Sequence, residues 1–349
     1  MLKIKHIVYY TVIQASILLN GSPLGALTID GEGASFPASV YRLWGYRYSQ
    51  ITGTEINYRS SSSGAGTARI KEGTIDFGGT DIPLSQAELD NEGLIQFPML
   101  IGGIIIAANL PDMQNMEMRL TPELLADIFL GKIKQWDDPA LMKINPGLKL
   151  PSMPIIIVYR SDNSGTTWAF TEYLSRTSPE WAASYGHNKA MQWKKGVGGK
   201  NNAGVANNIR KISGSIGYLE YSCAEGAGLK SISLLNKSGN YAVPGIVSFA
   251  EAGKNAGFGN DRKMELINRP GEKSWPVTTV SYILIKKEQF APDKTREMLK
   301  FFLWCYLNGA DIARELYFVP LPENIIKSVK ALWHEKLISN GKQFFEKKD

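Results

Sequence analysis

The chain has 349 residues, 44% of them hydrophobic, and a formal net charge of +6 at pH 7. That length exceeds what one hydrophobic core usually organises, so two lobes are expected. Acidic and basic residues are interleaved with no Lys/Arg block beyond short pairs, which speaks against a nucleic-acid footprint and leaves a small anionic ligand open.

Residues 1–26 read as a secretory signal. Lys3 and Lys5 make a basic start, residues 7–19 are mostly apolar, and Gly25-Ala26 offers small residues for cleavage, although Leu24 fits the expected small position poorly. Without this segment the formal charge falls to +4. No later run is long and apolar enough to span a bilayer, since the stretch 97–110 is short and broken by Pro98, Gly102 and Gly103. The expected mature product is soluble.

A short strand from Leu27 then enters the glycine-rich turn Gly31-Glu32-Gly33-Ala34-Ser35-Phe36-Pro37. Pro37 suits the first position of a helix capped by Ser35 or Phe36; Val40, Leu43, Trp44, Tyr48 and Ile51 recur at helical spacing, and Gly53 stops the pattern. A second strand, Glu55 to Tyr58, runs into Ser60-Ser61-Ser62-Ser63-Gly64-Ala65-Gly66 and a short helix over Ala65 to Lys71. Four serines could make a flexible linker, but linkers seldom separate a strand from a helix in a compact α/β chain. A third strand, Thr74 to Gly79, ends in Thr80-Asp81-Ile82-Pro83. A carboxylate at that strand end is wrong for binding an anion, unless the anion carries a proton to donate.

Phe97 to Asn109 is a nearly unbroken apolar run, expected to be a central strand passing between lobes. Thr121-Pro122-Glu123 caps a helix that ends at Gly131. The run Ile155 to Tyr159 is a buried strand by pattern, and Arg160-Ser161-Asp162-Asn163-Ser164-Gly165-Thr166 is a polar turn opening a helix over Thr167 to Leu174. At such a junction backbone N–H groups and the positive end of the helix dipole favour an anion. Arg160 adds a planar fork of donors, and Ser164 and Thr166 add hydroxyls. The plainer alternative makes Ser164 only a helix cap and Arg160 a surface ion-pair partner.

Gly196 to Lys200 lacks the spacing of a nucleotide loop and precedes an amphipathic helix to about Lys211. Gly214 to Leu219 and Trp275 to Lys286 read as strands, residues 235–270 as polar surface, and Lys294 to Gly309 and Pro322 to Glu335 as helices. Beyond His6 in the leader, only His187 and His334 occur, neither at metal-ligand spacing, and no G-x-S-x-G elbow is present. Enzyme chemistry is poorly supported. Cys223 and Cys305 lie in apolar, helical settings and are expected to be buried thiols rather than a disulfide.

Taken together, Gly33-Ala34-Ser35-Phe36-Pro37, Asp76-Phe77-Gly78-Gly79-Thr80-Asp81-Ile82-Pro83, Gly131-Lys132-Ile133-Lys134-Gln135-Trp136-Asp137-Asp138-Pro139 and Arg160 to Thr166, with Trp275-Pro276-Val277-Thr278-Thr279 near the end, closely resemble the periplasmic phosphate-binding proteins of phosphate ABC transporters. The resemblance spans essentially the whole chain after the leader. It implies an α/β, two-lobed type II periplasmic binding fold, with residues 27–104 and 273–349 in lobe I, residues 105–272 in lobe II, and phosphate in the cleft. It also implies that Ser35, the backbone at Phe36, Ser63 and Asp81 bind from one lobe, and Arg160, Ser164, Gly165 and Thr166 from the other, with Asp162 holding Arg160. Here Ser35 stands where relatives often have threonine. Ser63-Gly64-Ala65-Gly66 departs from a common Ser-Ser-Gly-Gly pattern, which leaves open which serine donates. The implied partners are inorganic phosphate and the transporter's permease subunits with their ATPase; the implied protein is a periplasmic monomer without cofactor. Asp81 then has a reason: phosphate at neutral pH keeps an O–H that a carboxylate accepts, whereas sulfate keeps none and is repelled. The rival readings are a receptor for another oxyanion such as sulfate, molybdate or tungstate, and a secreted phosphatase.

Overall fold

The computed structural model describes residues 27–254, 256–258 and 263–345, so the expected leader lies outside the described residues. From the start of this region, β1 (Thr28–Gly33), α1 (Ala38–Thr52), β2 (Glu55–Ser60), α2 (Ser63–Lys71) and β3 (Phe77–Thr80) follow in turn. β1 pairs in parallel with both β2 and β3. Parallel strands need covered faces, and α1 supplies cover by burying Val40, Tyr41, Trp44 and Tyr48, while Gly53 closes the helix in the left-handed conformation. Pro37 precedes the first helical residue rather than occupying it. The serine loop is shorter than expected: the Ser62 side chain caps α2 by accepting from the Ala65 N–H, so the helix begins at Ser63.

After α3 (Gln86–Asn91), β4 (Leu94–Ala108) is buried along its whole length, as its apolar run requires. Then come β5 (Arg119–Leu120), α4 (Pro122–Leu130), α5 (Pro139–Ile144), β6 (Ile156–Arg160), α6 (Gly165–Thr177), α7 (Pro179–Ser184), β7 (Val197–Gly199), α8 (Asn201–Lys211), β8 (Ser215–Glu220) and α9 (Tyr221–Gly226). β6 pairs in parallel with β7 and β8. The tract 235–270, expected to be irregular surface, instead includes α10 (Ile246–Lys254), which buries Phe249 and Ala252. Its apolar face was hidden by the surrounding glycines and polar residues. Finally β13 (Thr278–Lys286), reached after the short strands β9 (Ser233–Leu235), β10 (Tyr241–Ala242), β11 (Gly257–Phe258) and β12 (Met264–Glu265), leads to α11 (Pro292–Asn308), α12 (Ala310–Glu315), β14 (Val319–Pro320) and α13 (Glu323–Lys336).

One nine-stranded sheet runs through the molecule in the order β2-β1-β3-β13-β4-β8-β6-β7, with β14 also on β4. β4 joins its two halves by changing partner: residues 94–103 pair with β13, and Ile104 to Ala108 pair with β8. Two tryptophans secure this junction. Trp275 donates its indole N–H to the Ile104 carbonyl at 2.8 Å, and Trp136 donates to the Gly214 carbonyl just ahead of β8 at 2.8 Å. The Trp136 and Trp275 motifs are therefore structural at these residues. Cys223 and Cys305 are both free thiols, the first half-buried and the second buried.

The change of partner falls at Gly102-Gly103, where glycine is required by space. A Cβ on Gly102 would lie 2.7 Å from the Phe318 ring and 2.8 Å from Phe36, and one on Gly103 would lie 2.0 Å from Phe249. Gly103→Ala is expected to destabilise the fold by about 1 to 3 kcal/mol, the usual cost of overpacking a close-packed core. Chemical denaturation measures this; an unchanged midpoint would mean that Phe249 moves aside freely.

Candidate anion-binding site

The candidate residues converge at the carboxyl ends of parallel strands, the rule for ligand sites in open α/β sheets. Ser35 and Phe36 follow β1, Ser63 follows β2 and Asp81 follows β3; Arg160 ends β6, and Ser164, Gly165 and Thr166 open α6. Ser63, Asp81, Arg160, Ser164 and Thr166 are all buried. The Phe36 ring packs edge-on against Phe318, with centroids 5.4 Å apart, which sets the backbone just ahead of α1.

Two glycines let the loops of the two sheet halves meet. The Gly64 N–H donates to the Asn163 carbonyl at 3.0 Å. A Cβ on Gly64 would lie 2.6 Å from the Asn163 Cβ, and one on Gly165 would lie 2.5 Å from Ser63 Oγ and 2.6 Å from Asp81 Cβ. The start of α6 is thus pressed against Ser63 and Asp81.

Arg160 is held as a rigid fork. Its Nε and Nη2 donate to the two Asp162 carboxylate oxygens at 2.8 and 2.6 Å, and Nη1 donates to Thr166 Oγ1 at 3.1 Å and Asn202 Oδ1 at 3.3 Å. Those bonds use four of the five N–H donors of a guanidinium and leave one on Nη2. The expected Asp162 contact is therefore present, and the surface-ion-pair alternative fails because the Arg160 side chain is only 1% exposed.

Hydroxyl polarity follows from the same bonds. Thr166 Oγ1 accepts from Arg160, and Ser164 Oγ accepts from the Thr167 N–H at 3.1 Å. Each hydroxyl keeps its own proton to donate. The first N–H groups of α6 have no intrahelical acceptors, so this loop presents donors. Ser63 Oγ accepts from the Asp81 N–H at 3.1 Å and lies 3.4 Å from Asp81 Oδ2 as a donor.

Asp81 is the contrary group. Its Oδ1 is buried and has no hydrogen-bond partner in the protein. Burial pushes its carboxyl up to about 7, opposed by Arg160 and the Ser63 hydroxyl, while Glu220 adds to the rise. Glu220, at the end of β8, is also raised to about 7 by burial, opposed by the Ser222 and Cys223 N–H groups and the Ser222 hydroxyl.

Sequence reasoning missed Asn202 and Glu220. Asn202 is buried at the start of α8, and its side chain reaches Arg160, the Glu220 N–H and Ser35. The glycine-bearing loop before α8 is the local signal that points to Asn202. Among the described residues no group of three or more His, Cys, Asp or Glu side chains is placed to hold a metal ion, and no helix is long and apolar enough to cross a membrane.

Comparison with known proteins agrees with this architecture. A model of the PBP superfamily domain matches residues 20–306. The phosphate-binding protein PstS of Haemophilus influenzae is 43% identical over 314 residues, which cover 89% of this chain and 94% of the relative. PstS of Pasteurella multocida is 44% identical over 324 residues, covering 92% and 94%. A solved phosphate-binding protein from Stenotrophomonas maltophilia superposes with a TM-score of 0.68 at 19% identity, covering 87% of this chain and 93% of that one. At that identity the likeness speaks for the fold, which is the α/β periplasmic binding fold expected from the motifs. Because the match to sequence relatives runs nearly end to end in both chains, this protein belongs to the PBP superfamily, in the family of PstS phosphate-binding proteins.

Proposed function

We propose that the chain binds inorganic phosphate outside the cytoplasmic membrane and delivers it to an ABC importer. The observation that carries this reading is a buried group of donors, Arg160, Ser164 and Thr166, whose loop is pressed against one buried acceptor, Asp81 Oδ1, with no partner in the protein. Ser35, the Phe36 backbone and Ser63 would bind from lobe I, comprising residues 27–104 and 273–349. Arg160, Ser164, Gly165 and Thr166 would bind from lobe II, residues 105–272, with Asp162 orienting Arg160. A protonated oxyanion satisfies both kinds of group, whereas a fully ionised one leaves Asp81 opposing it, so phosphate is favoured over sulfate, molybdate or tungstate. The family is one of binding proteins rather than enzymes.

The chain acts as a periplasmic monomer exported by residues 1–26, and its partners are the permease subunits with their ATPase. Because Ser63, Asp81, Arg160, Ser164 and Thr166 are buried, phosphate reaches them only when the halves separate, and an anion touching both halves favours closure. Phosphate and arsenate should each compact the protein and raise its unfolding temperature, and sulfate should do neither. Calorimetry, small-angle scattering and thermal melts with the three anions test this. Equal compaction by sulfate, or tight phosphate binding without compaction, would sink the cross-cleft arrangement; turnover of a chromogenic phosphate ester would favour the phosphatase.

A further inference from the structure

Asn202 joins the two sides of the cleft. Its Oδ1 accepts from Arg160 Nη1 at 3.3 Å and from the Glu220 N–H at 3.3 Å. Both partners can only donate, so the amide orientation is determined and Nδ2 faces Ser35. Nδ2 lies 3.2 Å from Ser35 Oγ, and the Asn202 backbone N–H lies 3.4 Å from the same oxygen. Asn202 itself is 2% exposed.

We infer that Asn202 is a positioning residue that makes Ser35 a pure donor toward the anion and does so only when the cleft is closed. A serine oxygen has two lone pairs and one proton. Two N–H groups of Asn202 occupy the lone pairs, which leaves the proton as the one group Ser35 can direct elsewhere. Thr166 and Ser164 each accept from one donor on their own side of the cleft. Ser35 receives it from the far side, 167 positions away in the chain. Closing the cleft therefore sets the polarity of Ser35 and braces Arg160 with one amide group.

This inference rests on the phosphate reading of the site, and a mutant cycle separates the two. Phosphate is titrated by calorimetry into the unsubstituted chain, Ser35→Ala, Asn202→Ala, Asn202→Asp and both double variants. In the unsubstituted background Ser35→Ala should weaken phosphate binding by about tenfold, the size of one hydrogen bond to a charged group. In either Asn202 background the same change should cost less than about twofold, because Ser35 is no longer held as a donor. Asn202→Asp keeps the shape, accepts the Ser35 proton and faces Arg160 with a charge, so it serves where alanine does not fold. A merely structural Asn202 would lower the anion-free melting temperature and leave the Ser35 factor unchanged. The same Ser35 factor in all backgrounds, or an Asn202→Ala affinity within about twofold of the original, overturns the assignment while phosphate binding stands. Absence of phosphate binding by the unsubstituted chain removes the phosphate reading and this role together.

Discussion

Arg160→Ala is expected to weaken phosphate binding by about 100-fold or more, since hydrogen bonds to charged groups are worth roughly 1.5 to 3 kcal/mol each and 1.4 kcal/mol is a factor of ten. Two effects add. The anion loses the positive charge of the guanidinium facing it in a buried site, and Asp162, Thr166 and Asn202 lose the donor they share. A carboxylate left without its partner at the edge of an anion site also repels the ligand. Arg160→Lys should recover little, because an ammonium cannot make the paired bonds to both Asp162 oxygens while also reaching Thr166 and Asn202. Calorimetry with phosphate measures both variants. A loss for Arg160→Ala within about tenfold, nearer the worth of an exposed ion pair, would place the guanidinium outside the ligand's reach.

Asp81→Asn is expected to change selectivity more than affinity. An amide in the same volume offers a donor as well as an acceptor, so a fully ionised anion no longer meets an unpaired buried charge, whose cost is on the order of 1 to 3 kcal/mol or more. Sulfate binding should rise by at least about tenfold relative to phosphate, and competition calorimetry at neutral pH reads that ratio directly. An unchanged ratio would show that another group rejects sulfate.

The same variant predicts a change with pH. The Asp81 carboxyl in the folded chain is raised by burial from its ordinary 3.8 to about 7. Below the ordinary value both folded and unfolded chains hold the proton, and above about 7 neither does. Between the two only the folded chain keeps it, so stability falls as pH rises through this window and is flat above it. Anion-free Asp81→Asn should therefore melt higher than the unsubstituted chain at pH 8 and lose that advantage as pH approaches 4. Glu220, raised to about 7 as well, keeps its own decline in both proteins. Thermal melts across this range decide the matter, and parallel curves would mean that Asp81 is not destabilised by burial.

Local patterns were legible in the chain because their causes are local. Helix periodicity, the Thr121 cap followed by Pro122, and the left-handed glycines closing α1 and α4 involve residues within one turn of each other. The Arg160–Asp162 fork spans two positions, and Ser164 caps α6 by a bond three residues away. Where local signals competed, boundaries moved: Ser62 became the cap of α2 and drew Ser63 into the helix, and α10 formed within a tract that reads as polar surface. Here burial of Phe249 against Gly103 outweighed the glycines and polar residues around it.

The amino-acid sequence by itself determined the strand-loop-helix units, the serines, glycines and arginine of their loops and the odd carboxylate at Asp81. Tertiary structure alone decided what those loops do to one another. Ser35 and Asn202 are 167 positions apart, and no periodicity or cap relates residues at that distance. Their contact depends on β4 carrying the chain from one half of the sheet to the other, and on Gly64 and Gly165 leaving no Cβ between the facing loops. A hydroxyl's direction and a carboxyl's proton depend on which groups surround them after folding, because burial removes the water that would otherwise satisfy either.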